Sequence, residues 1–226
     1  MDWLHGALAV FLKDARLELR TRFALNALGL FVAAAVFLLR FALGDGTVTA
    51  PVAAALLWVV ILFAATVGLG RAFVVEEERG TVLLLQLTLR PGAVYGGKLA
   101  FNAVLQLGLN AAAALLFLVL VGPPVAAPGL LAVTLALGAL GLAGATTLLS
   151  AVIARTASSG PLLAVLAFPV LIPLLFSTVR LTRLAFEGSG AGSPWAEAQT
   201  DLTALVGYAG LAVTASFLLF DYVWRD

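Results

Sequence analysis

Cysteine is absent from the 226-residue sequence, and histidine occurs once, as His5. Without thiols the chain forms neither disulfide bonds nor a zinc–thiolate centre, and it lacks a thiol nucleophile. Charge is also scarce: 11% of the residues are charged, against roughly 25% in ordinary soluble domains. Hydrophobic residues make up 62%, more than a water-soluble fold can hide. The sequence therefore predicts an integral membrane protein.

Six apolar runs have the length of membrane-spanning helices, roughly 17 to 25 residues. Because backbone groups in lipid must be hydrogen-bonded within each helix, these runs predict an all-α fold. We expect a single transmembrane domain, residues 1–226, with six spans. The predicted spans are 23–43, 52–70, 99–121, 130–153, 161–179 and 202–223.

Lysine and arginine residues near the span ends indicate the orientation. Ten of the 13 fall in the N-terminal segment, the second and fourth connections and the C-terminal tail, and three fall in the other connections. This bias predicts that both termini lie in the cytoplasm. The first 22 residues carry too many charges for a cleaved signal peptide, so we expect the first span to act as an uncleaved anchor.

The N-terminal segment, 3–22, carries apolar residues at steps of three and four, which indicates one face of a helix. Its charged residues fall mostly on the other side. We predict an amphipathic helix lying in the membrane interface, the alternative being a helical start that only anchors the chain. The apolar face contains Leu4, Leu8, Phe11, Leu12, Ala15, Leu19 and Phe23.

The second connection contains a short apolar segment between two charged breaks. Gly80 ends one predicted helix, Thr81 caps the next, and Pro91 stops it. This helix, 82–89, is too short to span a membrane. An apolar helix displayed at a membrane surface favours insertion into a partner's groove, and the alternative is that it rests on lipid headgroups or on the bundle.

The predicted spans offer no enzymatic chemistry. Their only charged residues are Arg40 and Asp221, both near span ends, and they contain no histidine. A serine hydrolase, a paired-aspartate protease, a zinc site or a buried carboxylate relay therefore cannot be assembled there. We expect a non-catalytic protein that binds no metal or cofactor of its own.

A polar stripe follows the third span, where Asn102, Gln106 and Asn110 repeat every four residues. The simpler interpretation is that these side chains hold helices together. The functional alternative is that they line a path for an amphiphilic cargo.

The segment from Leu69 to Lys98 resembles the membrane subunits of ABC-2 exporters. In that group an acidic stretch, a Gly-Thr or Gly-Ser pair, a leucine-rich coupling helix, a proline and a lysine follow the second span. The resemblance implies that residues 76–91 form a coupling segment that docks on an ATPase subunit. The implied coupling residues are Phe73, Glu76, Glu77, Glu78, Gly80, Thr81, Leu83, Leu84 and Leu87.

The chain resembles one family nearly end to end: the haem exporter permease, cytochrome c maturation protein B (CcmB). The paired prolines Pro169 and Pro173 are its most specific marker here. The family tends to have aspartate where this chain has Glu76, so the charge is kept on a longer side chain. The other matching segments are 17–20, 57–59, 70–73 and 161–175.

This resemblance implies a multi-pass permease of the bacterial inner membrane, acting in haem export for cytochrome c maturation. ATP would be bound by a separate ABC ATPase subunit, because no Walker A sequence occurs in the chain. We also expect a homodimer and contacts with the lipid bilayer and other membrane haem-handling proteins, and no nucleic-acid partner. The alternatives are a generic ABC-2 lipid, polysaccharide or drug exporter, and a scaffold for haem-handling proteins that transports nothing.

Haem as cargo raises the question of its iron ligands, which are usually His, Met, Cys or Tyr. The only methionine is Met1 and the only histidine is His5, while Tyr208 and Tyr222 are the tyrosines near the membrane. We therefore predict that the isolated subunit does not hold haem by bis-histidine ligation and that partner proteins supply the ligands.

Overall fold

The computed structural model describes residues 3–44, 46–69, 72–78, 80–154, 159–190 and 192–225. Within these ranges all regular structure is helical. The helices are α1 (Trp3–Thr21), α2 (Phe23–Leu43), α3 (Ala50–Leu69), α4 (Val74–Glu78), α5 (Val82–Thr88), α6 (Pro91–Leu120), α7 (Pro128–Ala154), α8 (Ser159–Glu187) and α9 (Pro194–Arg225).

Five of the described helices, α2, α6, α7, α8 and α9, are long and apolar enough to cross a membrane. The helix at the predicted second span, α3, has a shorter apolar stretch, Ala50–Thr66. It contains 20 residues in all, or about 30 Å at the rise of an α-helix. The prediction of an all-α membrane protein is confirmed, and the number of six crossings stays a prediction.

Three helices, α6, α8 and α9, extend eight residues beyond one end of their predicted spans. α6 begins at Pro91 rather than at residue 99, because proline is favoured in the first turn of a helix. α8 continues to Glu187, and α9 already begins at Pro194. The two helices therefore cover most of the segment 180–201 that lies between the predicted fifth and sixth spans, and six residues separate them. Arg180 and Asp201 mark where the apolar sequence ends and not where the helices end. Arg180 Nε and Asp201 Oδ2 form an ion pair at 3.4 Å that joins α8 to α9.

α7 lies at the centre of the bundle, in contact with α3, α6, α8 and α9. Its glycines allow this close packing. A Cβ atom on Gly138 would come within 2.3 Å of Trp58, and one on Gly141 within 2.1 Å of Leu174. Trp58 also donates a hydrogen bond of 2.8 Å to the Thr182 hydroxyl, which joins α3 to α8.

α1 packs along the first half of α6 through small residues. Gly6 and Val10 are buried, and a Cβ on Gly97 would lie 2.5 Å from the Ala7 carbonyl oxygen. Four leucines of the predicted apolar face lie on another side of α1 and are exposed, whereas Phe11 is half-buried and its ring centroid lies 6.3 Å from that of Phe101. The exposed leucines are Leu4, Leu8, Leu12 and Leu19.

Hydrogen bonds show which segments share an end of the bundle. Gln86 of α5 donates to the Trp224 carbonyl oxygen near the end of α9, and the Phe73 amide donates to Ser150 near the end of α7. At the opposite end, the amide of Ala127 donates to the carbonyl oxygen of Ala185. α1, α4, α5 and the final turns of α9 thus lie together at what we call the α5 end.

The α1–α6 contact gives a prediction about stability. The Gly97→Ala variant should lower the free energy of unfolding by about 1–3 kcal/mol, because its methyl group would strike the α1 backbone. Gly108→Ala is the matched control on the same helix, where a Cβ meets nothing within 4 Å. Thermal unfolding of both purified variants would check this, and equal midpoints would contradict the packing.

Candidate coupling site

α5 presents its leucines away from the bundle. Leu83, Leu84 and Leu87 are 64, 62 and 78% exposed, and they share one side of the seven-residue helix. Leu85 points the other way and is buried. The structure therefore brings together, on one exposed side of α5, the three leucines that the sequence analysis assigned to docking.

The inner side of α5 is held by an aromatic cluster. Leu85 packs in it together with Phe73, Tyr95, Phe220 and Trp224, all of them buried. The Gln86 side chain adds a hydrogen bond of 2.9 Å to the Trp224 carbonyl oxygen. α5 is thus fixed to the ends of α6 and α9 while its outer side stays exposed.

Phe73 belongs to this cluster rather than to the exposed surface. Its ring centroid lies 5.2 Å from that of Phe220 and 5.9 Å from that of Trp224. The Lys98 ammonium lies 5.3 Å from the Phe73 ring centroid, which is within cation–π range. Phe73 therefore supports the coupling segment from inside and offers no side-chain surface to a partner.

The turn between α4 and α5 departs from the predicted capping. Gly80 breaks the helix as expected, with φ of +66°, a conformation that glycine adopts readily. Thr81 occupies the N-cap position of α5 but makes no side-chain capping bond. Its backbone is in the right-handed helical region, whereas capping residues are extended. The Thr81 hydroxyl instead donates to Glu76 Oε2, so the predicted capping role is wrong.

Glu76 lies in a cluster of four charged side chains from three helices. Its Oε1 atom accepts hydrogen bonds from Lys13 of α1 and, at 2.9 Å, from Lys98 of α6. Lys98 also donates to Asp14 of α1 at 3.1 Å. Glu76 and Lys98 are 5 and 2% exposed. Two lysines balance two carboxylates, which makes the burial of these charges tolerable.

The electrostatics of this cluster favour the charged forms of Glu76 and Lys13. Burial raises the pKa of Glu76, but Lys98, Lys13 and Thr81 outweigh burial, and the pKa falls from 4.5 to about 2. Burial lowers the pKa of Lys13, yet pairing with Glu76 and Asp14 leaves it above 10.5. The carboxylate therefore stabilises the fold above pH 4.5 and loses this contribution as the pH falls towards 2. The Lys13 contribution is lost as the pH rises through its elevated pKa.

The acidic run Glu76–Glu78 divides into two parts. Glu77 and Glu78 are exposed, whereas Glu76 is buried and its two oxygens are already occupied. Of the three glutamates in the implied coupling set, only Glu77 and Glu78 are therefore exposed to a partner. The Glu76 carboxylate faces α1 and α6, because those helices carry the two lysines.

The polar stripe of α6 is buried between α6 and α7. Asn102 donates to the Thr147 hydroxyl at 2.7 Å, and Asn110 donates to the Leu135 carbonyl oxygen at 2.9 Å. Gln106 donates to Asn110 at 2.7 Å. These bonds fit the simpler interpretation, that the stripe joins helices, and give no support to the predicted cavity lining.

The sequence model of the CcmB protein family matches residues 5–217. The chain belongs to the CcmB family. A search of curated proteins gave no match. Family membership supports the role of a haem-exporter membrane subunit in cytochrome c maturation, which is a transporter component and not a catalytic enzyme. It also implies association with an ABC ATPase and with other Ccm proteins.

The sequence analysis missed two charged residues of the site, Lys13 and Asp14, and it named Lys98 only as the lysine that ends the ABC-2-like segment. One signal was present, since Lys98 lies four residues before Asn102 and so extends the polar stripe. Nothing in the local pattern of α1 distinguishes Lys13 and Asp14 from the exposed Arg16 and Arg20. The neighbouring Arg71 and Arg79 lie outside the described residues.

Cysteine labelling tests the role of the polar stripe, because the chain has no native thiol. Cysteines replacing Asn102, Gln106 or Asn110 should stay unreactive towards a water-soluble maleimide, since these positions are buried between helices. Leu84→Cys is the reactive control on the exposed side of α5. Labelling of the stripe from one side of the membrane would instead indicate a water-filled path.

Replacement of Asn102, Gln106 or Asn110 by leucine should lower the free energy of unfolding by only about 1 kcal/mol.

Proposed function

We propose that this chain is the permease subunit of an ABC transporter that delivers haem for cytochrome c maturation, with α5 as its docking helix for the ATPase. The observation that carries the proposal is the exposure of Leu83, Leu84 and Leu87 on a helix whose opposite side packs against the aromatic cluster. Clustered apolar side chains on a helix surface are the anchors by which such helices enter a partner's groove.

A partner protein explains this surface better than lipid headgroups do. Glu77 and Glu78, at the end of the preceding helix α4, are exposed as well. The cytoplasmic leaflet is negatively charged, so it repels these carboxylates. A groove with a basic rim would accept both the leucines and the two glutamates.

Hydrolysis of ATP is assigned to the separate subunit. The chain's nearest approach to a phosphate-binding loop is residues 92–98, with the spacing G-x₄-G-K, but leucine follows where serine or threonine is required. These residues form the first turns of α6, and Lys98 is engaged by Glu76 and Asp14. They therefore cannot wrap a phosphate.

The orientation follows from the charges. The α5 end carries the basic N-terminal helix, and the excess of lysine and arginine favours the cytoplasm for that side. Both termini would then lie on the cytoplasmic side of the bacterial inner membrane. Each chain contributes one docking helix, and ABC ATPases work in pairs, so we propose two permease copies in the transporter.

Haem is proposed as cargo rather than as a resident cofactor. The chain lacks cysteine, and its one histidine lies in α1 at the α5 end. Partner membrane proteins would supply the iron ligands. The permease would contribute the change of shape that ATP hydrolysis drives.

The Leu84→Asp variant tests the docking. A charge at this position should weaken ATPase binding by roughly thirty-fold, the loss of an interface hot spot worth about 2 kcal/mol. Co-purification of the two subunits and ATP hydrolysis by the complex are the measurements. Gln199→Asp introduces the same charge at the exposed opposite end and should change neither. Normal co-purification of Leu84→Asp would overturn the proposed function.

A further inference from the structure

Glu76 joins α5 to two other helices through a single carboxylate. One oxygen accepts the Thr81 hydroxyl at the start of α5. The other accepts the ammonium groups of Lys13 in α1 and Lys98 in α6. A backbone hydrogen bond also joins Thr81 to Glu76, because the Thr81 amide donates to the Glu76 carbonyl oxygen at 3.0 Å. Any displacement of the start of α5 therefore acts on this carboxylate.

Lys98 is held in place by more than Glu76. It donates to Asp14 at 3.1 Å and to the Ala72 carbonyl oxygen at 3.0 Å, which fixes its ammonium group beside the residues that lead into α4. These partners come from α1 and from the segment before α4. The ammonium group is thus a junction between the coupling segment and α6.

From Lys98 a line of buried polar side chains continues along α6. Asn102 lies one turn further and donates to Thr147 of α7, the central helix of the bundle. Gln106 and Asn110 follow at the same spacing, and Asn110 returns to α7 at Leu135. A movement of α6 at Lys98 therefore acts directly on the polar contacts between α6 and α7.

We infer that Glu76 is a positioning residue which passes the displacement of a docked α5 to α6 through Lys98. This inference rests on the proposed function. It assigns ATPase binding to the leucines of α5, and it assigns to Glu76 the connection between α5 and the helix bundle. Separating Glu76 from Lys98 would leave Glu76 with Lys13 and Lys98 with Asp14 as their only charged partners among the described residues, so two buried charges would each lose part of their compensation. The start of α5 and the first turns of α6 consequently move together.

The test uses the assembled complex of this chain with its ATPase and the Glu76→Gln variant. The exposed leucines are untouched, so co-purification and ATP hydrolysis should stay within about two-fold of the unmodified complex. Covalent haem attachment to c-type cytochromes in cells should fall at least roughly ten-fold per ATP hydrolysed. Glu187→Gln removes the same charge from an exposed ion pair with Arg183 and should leave all three quantities unchanged.

Two results would overturn the inference. One is cytochrome maturation per ATP at the unmodified level in Glu76→Gln. The other is a parallel loss of assembly, hydrolysis and maturation, which would make Glu76 a structural residue only. If Glu76→Gln does not accumulate in the membrane, Thr81→Val serves instead, because it removes the hydroxyl that joins the start of α5 to the Glu76 carboxylate and leaves the four charges in place. Maturation per ATP should then fall several-fold, and an unchanged ratio would overturn the inference equally.

Aspartate at this position refines the test. Glu76→Asp keeps the charge but shortens the side chain, so it cannot keep Thr81 on one oxygen and both lysines on the other without a shift of α4. An intermediate ratio of maturation to hydrolysis is expected. Failure of the proposed function remains distinguishable, because it would appear as retained ATPase binding in Leu84→Asp, whatever Glu76 does.

Discussion

A carboxylate that is removed from water must be compensated by cations and hydrogen-bond donors, and Glu76 imposes this requirement on the α5 end. Lys98 can reach it only if α6 begins early, as a helix from Pro91, and Lys13 can reach it only if α1 packs on α6. Gly97 allows that packing. A buried ion cluster contributes little net stability but penalises arrangements that leave it unpaired, so it fixes where the coupling segment lies.

The fold was predictable from the sequence to a large extent, because the constraint is the bilayer. Long apolar runs must be helical in lipid, and α2 coincides with its predicted span. The short helix α5 was also predictable, since Gly80 and Pro91 break the chain on either side of it. The exposed leucines followed from the same pattern.

The ends of α6, α8 and α9 were less predictable, because hydropathy records where apolar composition stops rather than where a helix stops. Arg180 and Asp201 illustrate this: each is charged, yet each lies inside a helix and pairs with the other. The charged cluster could not be predicted from the sequence for a different reason. Its four residues come from three segments that are far apart in the chain, Lys13–Asp14, Glu76 and Lys98, and only tertiary packing brings them together.

Site-specific photo-crosslinking on α5 tests the central claim most directly. A crosslinking amino acid at position 84 should form an adduct with the ATPase subunit in intact membranes, because Leu84 is exposed on the proposed docking side. The same amino acid at position 85 should give no such adduct, because Leu85 is buried against the aromatic cluster. Adducts of position 84 with lipid alone, or equal ATPase adducts from both positions, would contradict the account.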